Sequence, residues 1–318
     1  MYPITLIAFN RPYHTFKTLK FLSINPEAKS SELYVFIDGP RNEIDNFKID
    51  QTEKVIKTFE NDFKKISIKR FISNKGLALN VINGVSEILK EYEATIVLED
   101  DIKTSESFLN FMNSSLNKFK NEKKVWHISG YNVPINLNPS ESNTFFIRLM
   151  FCWGWGTWRD RWDSFKEDKF FLDPYYLKDI FSSSMINEFN LKGNHDIFWS
   201  QIEKNALSEK QTWAIFWYSH IFLNNGLCLT PVKTFCDNFG FDGSGENCSK
   251  QAQIPSQVLN ISREVDFPEN INEDRYYLKK VNKYFNYPNI FLRIFKKLFR
   301  ICSNIIKKFF PRLKKTNF

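Results

Sequence analysis

Three consecutive acids, Glu99, Asp100 and Asp101, are the residues in this sequence whose types and spacing most clearly suggest chemistry. They follow the run ATIVL, which has the composition of a buried strand. Adjacent carboxylates repel one another, and the repulsion costs more free energy where water is excluded. A hard divalent cation relieves it, because Mg²⁺ and Mn²⁺ take oxygen ligands, often one or two carboxylates together with substrate phosphates. The triplet therefore predicts a metal site, with a solvated acidic turn as the alternative.

Two turn signals earlier in the chain could contact a ligand, one through an anionic group and the other through a sugar or a base. Asn74-Lys75-Gly76 leads into an apolar helical pattern, and the N-terminus of a helix attracts phosphate. An ordinary capped turn is the alternative, because the P-loop pattern GxxxxGK[ST] is absent. Asp38 begins the turn DGP, where its carboxylate could meet a ribose or a base, or could simply belong to the turn.

The elements that must position these residues alternate between strand and helix. Apolar strand-forming runs occupy residues 4–9, 33–37, 66–71 and 94–98, and helical spacing occupies residues 13–24, 50–63 and the segment after residue 76. This order predicts an α/β fold, a mostly parallel sheet with helices on both faces. In such sheets ligands bind beyond the carboxyl ends of the strands. The clusters at 10–12, 38–40, 74–76 and 99–101 all follow strands, so we expect them to converge.

The charge of the chain is divided unevenly along its length. The 318 residues include 44 Lys and Arg against 36 Asp and Glu, a formal net charge of +8. Residues 275–318 hold 13 of the basic residues and no acid, so residues 1–274 carry a net charge of −5. A nucleic-acid-binding body would be basic, so we expect no nucleic-acid partner.

Cysteine spacing and hydropathy favour a cytoplasmic protein. The five cysteines are widely spaced without a CxxC pair, so neither a disulfide framework nor a zinc site is expected. The first residues lack the basic region and the cleavage pattern of a signal peptide. No stretch approaches 18 uncharged apolar residues, so no membrane-spanning helix is expected.

The basic tail has the pattern of an amphipathic helix. Apolar residues stand at positions 291, 294, 295, 298, 302, 305, 306 and 309, and Lys or Arg fills much of the rest. Such a helix suits an anionic membrane surface, where each basic residue contributes about 1 kcal/mol. Docking onto the body or onto a partner protein is the alternative. We expect a body at residues 1–274, a tail at 275–318, and peripheral attachment to the inner face of the plasma membrane.

The order of several motifs resembles that of GT-A-fold nucleotide-sugar glycosyltransferases, in particular bacterial surface-polysaccharide enzymes similar to the N-acetylglucosaminyltransferase I type. Within residues 3–248 the motifs are ITLIAFNRP, LYVFIDGP, SNKGLALN, IVLEDD, WGWGTW, HDIFW, TWAIFW and NFGFDGSG. The resemblance implies a GT-A (Rossmann-like) domain with a nucleotide-sugar half at about 1–130 and an acceptor half at about 131–248. It implies metal-dependent, inverting transfer from a nucleotide donor, expected to be a UDP-sugar, to a lipid-linked glycan acceptor of a surface polysaccharide or lipooligosaccharide.

The resemblance also assigns roles to the matching positions. Asp101 would ligate Mn²⁺ or Mg²⁺. Asp196 would deprotonate the acceptor hydroxyl, a role suited to a carboxylate. Related patterns often carry two acids at this place, whereas this chain has His195 before Asp196. The donor-binding set would be Arg11, Asp38, Asn74, Lys75, Gly76, Glu99 and Asp100.

Trp153, Gly154 and Trp155 are candidate acceptor-binding residues. Indole faces stack on the C–H surfaces of sugars, and glycine permits close approach of the backbone. Core packing is the alternative for at least one of the tryptophans. The later GFDGSG segment could be a lid over the donor or a structural loop.

Two other functions remain open on the sequence. A sugar nucleotidyltransferase shares a similar sheet and acidic metal site, but it would want a glycine-rich phosphate loop where Asn10-Arg11-Pro12 stands. The third possibility is a non-catalytic, membrane-associated sugar-binding protein.

Overall fold

Strands and helices alternate through the N-terminal part of the computed structural model. The structure describes residues 1–135, 142–167, 174–192, 197–208, 212–245 and 256–286. The α/β fold class and the four expected strands are confirmed. The first elements are β1 (Ile4–Ala8), α1 (Pro12–Ser23), a 3-10 helix (Pro26–Ser30), β2 (Glu32–Ile37), α2 (Glu43–Lys57), β3 (Lys65–Arg70), α3 (Leu77–Glu91) and β4 (Ala94–Glu99).

Helix α2 does not occupy the predicted residues 50–63. It begins earlier because the side chain of Asn42 caps it, accepting a hydrogen bond from the backbone N–H of Asp45 at 2.9 Å. It ends at Lys57, after which the N–H of Phe59 bonds to the carbonyl three residues back. Phe59 and Phe63, which suggested the longer helix, are buried in the turns that follow.

The rest of the described chain is less regular, as its sequence pattern suggests. The helix expected after residue 196 is α8, and the aromatic run at 213–218 enters α9. These elements are β5 (Ile102–Thr104), α4 (Phe108–Phe119), β6 (Val125–Ser129), β7 (Thr144–Ile147), β8 (Trp155–Trp158), α5 (Arg159–Glu167), α6 (Pro174–Ile180), α7 (Ser183–Phe189), α8 (Trp199–Ala206), α9 (Ala214–Leu223), β9 (Leu227–Pro231), β10 (Cys236–Asn238) and α10 (Arg275–Asn286).

A large sheet runs through the described residues in the strand order β3-β2-β1-β4-β8-β6-β9-β7. The pairs β3–β2, β2–β1, β1–β4 and β6–β9 are parallel, whereas β8 and β7 run against their neighbours. Six of these eight strands therefore point the same way, which confirms the mostly parallel sheet. β5 and β10 form a separate antiparallel pair beside it.

Burial explains why the central strands form where they do. Every residue of β1 is buried, and so are residues 94–98 of β4, so both strands are covered on both faces, as is typical of a parallel sheet. Helices α1 and α2 pack against each other, and α3 packs on β1, β2 and β4. The carboxyl ends of β1, β2 and β4 consequently meet at one edge of the sheet.

Helix α10 packs on the body. Tyr277 is buried and stacks on Phe145 of β7, with ring centroids 4.2 Å apart, and Val281 is also buried. The predicted amphipathic stretch at 289–310 lies outside the described residues. Among the helices in the described ranges, none combines the length and apolar character that crossing a lipid bilayer requires.

Candidate functional site

A cavity of about 290 Å³ opens at the edge where β1, β2 and β4 end. Its size is close to the lower end of the usual range for small-molecule sites. Five of the predicted site residues line it, namely Arg11, Asp38, Glu99, Asp100 and Asp101. Its wall also includes Asn10 of the predicted 10–12 cluster and Ser244 and Gly245 of the GFDGSG segment. The lining residues that the sequence did not single out are Ile7, Ala8, Phe9, Arg41, Leu77 and Asn80.

Arg11 joins two of the three acids. Its Nη2 donates to Oδ1 of Asp100 and, at 3.0 Å, to Oδ2 of Asp101, while its Nε donates to Oδ2 of Asp100 at 3.3 Å. The three side chains are largely buried, with 15% of Arg11 and 5% of each aspartate exposed. Buried charges of this kind require compensation, and here the guanidinium supplies it.

The acid triplet still carries more negative charge than Arg11 can balance. Burial, followed by the charges of Asp101 and Asp100, raises the pKa of Glu99 to about 8. Burial and the charge of Asp100 also raise the pKa of Asp101, although Arg11 opposes the shift. One guanidinium therefore does not compensate all three acids, and a further cation would stabilise their ionised forms.

The carboxylate of Asp38 is occupied by the turn that follows β3. Its two oxygens accept the backbone N–H of Lys75 at 2.8 Å, the N–H of Gly76 at 2.9 Å and the side-chain amide of Asn74 at 3.0 Å, in addition to the N–H of Gly39 at 2.8 Å. Asp38 is 3% exposed, so these contacts use most of its accepting capacity. Its observed role is to fix the turn, in which the side chain of Lys75 is exposed.

Gly39 permits this arrangement. A Cβ atom built on Gly39 would lie 2.3 Å from the backbone carbonyl carbon of Ser73. The turn before α3 can therefore lie directly on the end of β2 only because position 39 has no side chain.

A second buried carboxylate, missed in the sequence, organises the opposite side of the cavity. Asp45 accepts from Nε of Arg41 at 2.7 Å and from the amide of Asn10, and Arg41 lies over the ring of Phe9 at 4.8 Å from its centroid. Several hydrogen bonds lower the pKa of Asp45, and the one from the Arg41 side chain has the largest effect. The N-cap pattern around residues 42–45 was the available signal, since it places this acid in the first turn of α2.

The segment that contains GFDGSG, residues 238–245, packs against the site through contacts with Asp101 and His14. The amide of Asn238 donates to Oδ1 of Asp101 at 3.2 Å, and the backbone N–H of Phe239 donates to the carbonyl of the same residue. Phe239 stacks on the imidazole of His14, and Nε2 of His14 lies 3.1 Å from Asp242. Residues 238–245 thus close the side of the cavity beyond the acids.

The predicted acceptor residues divide into two kinds. Trp155 is 1% exposed and lies between the rings of His127 and Trp213, so we assign it to the core rather than to an acceptor site. Trp153 is partly exposed, with its ring against Phe241 of the docked segment. The exposed part of the Trp153 ring could therefore stack on a sugar.

The structure accounts for Gly154 by packing, whereas Asp196 is not among the described residues. A Cβ on Gly154 would come within 2.9 Å of the sulfur of Cys236, so close packing accounts for this glycine. Asp196, together with His195, lies outside the described residues, and its role as a base stays a prediction.

The acids fit a divalent cation in donor type and in charge, but they do not surround one. Among the described residues, no three His, Cys, Asp or Glu side chains converge so as to hold a metal ion by themselves. Carboxylate oxygens are hard donors of the kind that Mg²⁺ and Mn²⁺ take, and these ions commonly complete their shell with substrate phosphates. Asp101, with Asp100 beside it, would hold such an ion.

Comparisons with known proteins found distant structural similarities. No protein-family model and no curated protein matches the chain. The structure of residues 1–349 of S. aureus TarS is 12% identical, with a TM-score of 0.42, over 74% of this chain and 60% of that one. The same TarS fragment in complex with UDP is 15% identical over 45% of this chain and 39% of that one, with a TM-score of 0.32.

A mannosyltransferase from Pyrobaculum calidifontis, PcManGT in complex with GDP-Man and Mn²⁺, is 12% identical, with a TM-score of 0.30, over 41% of this chain and 35% of that one. The chain spans 24% to 60% of the lengths of the TarS structures it matches.

Proposed function

We propose that this protein is a metal-dependent, inverting glycosyltransferase that moves a sugar from a nucleotide donor to a glycan acceptor. The observation that carries the proposal is the single cavity in which the ends of β1, β2 and β4 bring an apolar wall, two arginines and the acid triplet together. This position, beyond the carboxyl ends of parallel strands, is where ligands bind in open α/β sheets.

The two sides of the cavity suit the two parts of a nucleoside diphosphate sugar. The sheet order puts Arg41 and Asp38 on the β2 side of β1, and the acids on the β4 side. On the β2 side, Phe9 and Leu77 offer an apolar surface for a base. On the β4 side, Arg11 can donate to phosphate oxygens in the planar, two-pronged geometry that arginine provides.

The acid triplet would bind the metal, the donor sugar and the ribose. We assign Asp101 to the metal, and Glu99 and Asp100 to the donor sugar and ribose. When bound, the divalent cation would neutralise the charge that develops on the leaving diphosphate. A UDP-sugar is the proposed donor, with Asn74, Lys75 and Gly76 framing the nucleotide side.

Inversion requires one base and no covalent nucleophile. We propose Asp196 as that base, acting on the acceptor hydroxyl, and Trp153 as a stacking surface for the acceptor. In a test, Asp196→Asn should abolish transfer while leaving metal-dependent nucleotide binding intact. Near-normal transfer by this variant would assign the base to another residue.

The acceptor is proposed to be a lipid-linked glycan of a surface polysaccharide or lipooligosaccharide. The basic tail would then hold the enzyme on the inner face of the plasma membrane, where such an acceptor is found. Residues 287–318, which follow α10, hold nine Lys or Arg and no acid, and this charge supports an anionic surface as the partner.

Thermal melts with and without Mn²⁺ test the donor assignment. A ligand that binds only the folded protein raises its melting temperature. UDP, UDP-N-acetylglucosamine and GDP-mannose are suitable probes. We expect one of them to raise the melting temperature in a Mn²⁺-dependent way, and Asp101→Asn to lose this rise.

Asp50→Asn is the matched control, because Asp50 is a half-exposed acid that pairs with Arg70 away from the cavity. It should behave as wild type. Pyrophosphate release from a nucleoside triphosphate and a sugar phosphate would instead identify a nucleotidyltransferase. Glycan binding without metal-dependent nucleotide binding would identify a sugar-binding protein.

A further inference from the structure

Arg11 occupies the place where the proposed metal would have to act. Its guanidinium donates to both Asp100 and Asp101, and all three groups are shielded from water. The other oxygen of Asp101 accepts from Asn238. Both carboxylate oxygens of Asp101, the proposed metal ligand, therefore already accept hydrogen bonds.

A second observation indicates that Arg11 has a further ligand to bind. Its Nη1 atom is buried and has no hydrogen-bond partner among the described residues. A buried N–H group without an acceptor costs free energy, so such atoms are uncommon unless a ligand completes them. Because the guanidinium is cationic, the fitting acceptor is an anionic oxygen, and a phosphate matches its forked geometry.

A divalent cation and Arg11 in its present position would repel each other. Both would lie within contact distance of Asp101, and Coulomb repulsion between like charges is strong where water is scarce. The conflict disappears if the guanidinium moves to a phosphate, because the anion then separates and balances the two cations.

We propose that Arg11 is an exchangeable counter-ion, which neutralises Asp100 and Asp101 in the metal-free protein and moves to the donor diphosphate when a divalent cation takes its place on Asp101. This inference rests on the proposed function and deepens it. It predicts that metal alone binds weakly, and that metal and nucleoside diphosphate each raise the affinity for the other by the same factor.

The test measures binding of Mn²⁺ alone, by the electron paramagnetic resonance signal of free Mn²⁺ and by the shift in melting temperature. Arg11→Gln removes the charge and keeps a planar hydrogen-bonding group. We expect it to bind Mn²⁺ at least 10-fold more tightly than wild type does in the absence of nucleotide, because the acids are left without their counter-ion. Its affinity for UDP in the presence of Mn²⁺ should fall at least 10-fold.

Two controls keep the test specific. Arg70→Gln removes an arginine that pairs with an aspartate outside the cavity, and it should leave both affinities unchanged. Arg11→Lys keeps the charge and should bind Mn²⁺ alone as weakly as wild type. Equal or weaker Mn²⁺ binding by a folded Arg11→Gln protein would overturn the inference.

If Arg11→Gln does not fold, measurements on the wild-type protein alone can still test the inference. UDP should then raise its Mn²⁺ affinity at least 10-fold, and equal Mn²⁺ affinity with and without UDP would overturn the inference. Failure of the proposed function looks different: wild type would bind no nucleotide with Mn²⁺, whereas the Mn²⁺ affinities of the Arg11 variants could still be compared.

Discussion

The side-chain amide of Asn74 donates to the carboxylate of Asp38 across the ends of two neighbouring strands, at 3.0 Å. The backbone N–H groups of the next two residues converge on the same carboxylate. The turn before α3 is therefore held by an acid from the end of β2 rather than by its own sequence. Asp38, which the sequence suggested for contact with a ribose or a base, is observed to fix the turn that borders the β2 side of the cavity.

Replacing Asp38 by Asn should loosen this turn. The new amide group would point N–H donors at the N–H groups of Gly39, Lys75 or Gly76, leaving buried donors without acceptors. We expect a loss of about 1–3 kcal/mol in the free energy of unfolding, measured by urea titration, and weaker nucleotide binding. Asn74→Ala removes one of these bonds and should cost less, so an equal loss in the two variants would contradict the assignment.

Gly240 should be intolerant of a side chain because it packs directly against Asp101. A Cβ atom at this position would lie 2.2 Å from Oδ2 of Asp101, 2.9 Å from its Cγ and 3.0 Å from its Cβ. The carboxylate would have to turn away from Arg11 and Asn238, which now donate hydrogen bonds to it. Gly240→Ala should therefore lose Mn²⁺-dependent nucleotide stabilisation in thermal melts, and it should also lower the melting temperature without ligand because buried hydrogen bonds are broken. Retained ligand stabilisation would show that the orientation of Asp101 does not matter.

His127 should make the fold sensitive to acid. It is fully buried, and burial lowers its pKa to about 3, against the opposing effect of its bond to the carbonyl of Phe151. Its Nδ1 faces the indole N–H of Trp217 at 3.2 Å, so the neutral ring accepts there and a second ring proton would have no acceptor. The unfolded chain takes up that proton near the ordinary pKa of about 6.5, and the folded chain does not.

The stability that His127 contributes is consequently complete above pH 6.5 and falls as the pH drops from there towards 3, by up to about 1.4 kcal/mol per pH unit. In His127→Gln, the free energy of unfolding should depend less steeply on pH in this window. Urea titrations at several pH values from 7 to 4 measure the slope. Parallel slopes in the two proteins would assign the acid sensitivity to other groups.

The attachment of the tail can be tested with a truncation chosen from the structure. Because α10 packs on the body through Tyr277 and Val281, the cut belongs after residue 286 rather than before residue 275. The full chain should float with vesicles that contain anionic phospholipid and stay behind with neutral ones. The 1–286 protein should float with neither, and equal flotation of both proteins would rule out the tail as the membrane anchor.

The positions of the strands were predictable because they depend on local signals. The apolar run ITLIAF lies between Pro3 and Asn10, and ATIVL lies between Glu93 and Glu99. Parallel strands buried on both faces leave such runs uninterrupted. Once these strands pair in parallel, topology alone brings Arg11, Asp38 and the acid triplet to one edge.

The unpredicted parts depend on contacts between distant residues. Nothing in the local sequence distinguishes Trp153, which is partly exposed, from Trp155, which is enclosed by His127 and Trp213. Arg41 and Asp45 lie outside any strand-end motif. Arg41 lines the cavity from the loop before α2, and Asp45, in the first turn of that helix, accepts a hydrogen bond from it. The partners of Asp38 likewise come from a turn some 36 residues away in the chain.

The placement of β8 has a consequence for how the molecule can move. This strand follows β6 and β7 along the chain, yet it pairs with β4 on one side and β6 on the other. β4, which ends at the acids, is thus bonded to β1 on one side and to β8 on the other. The strands on either side of β8 therefore belong to one hydrogen-bonded sheet, and a hinge motion between β4 and β6 would break its ladder. A change in access to the cavity would then require movement of the loops around it.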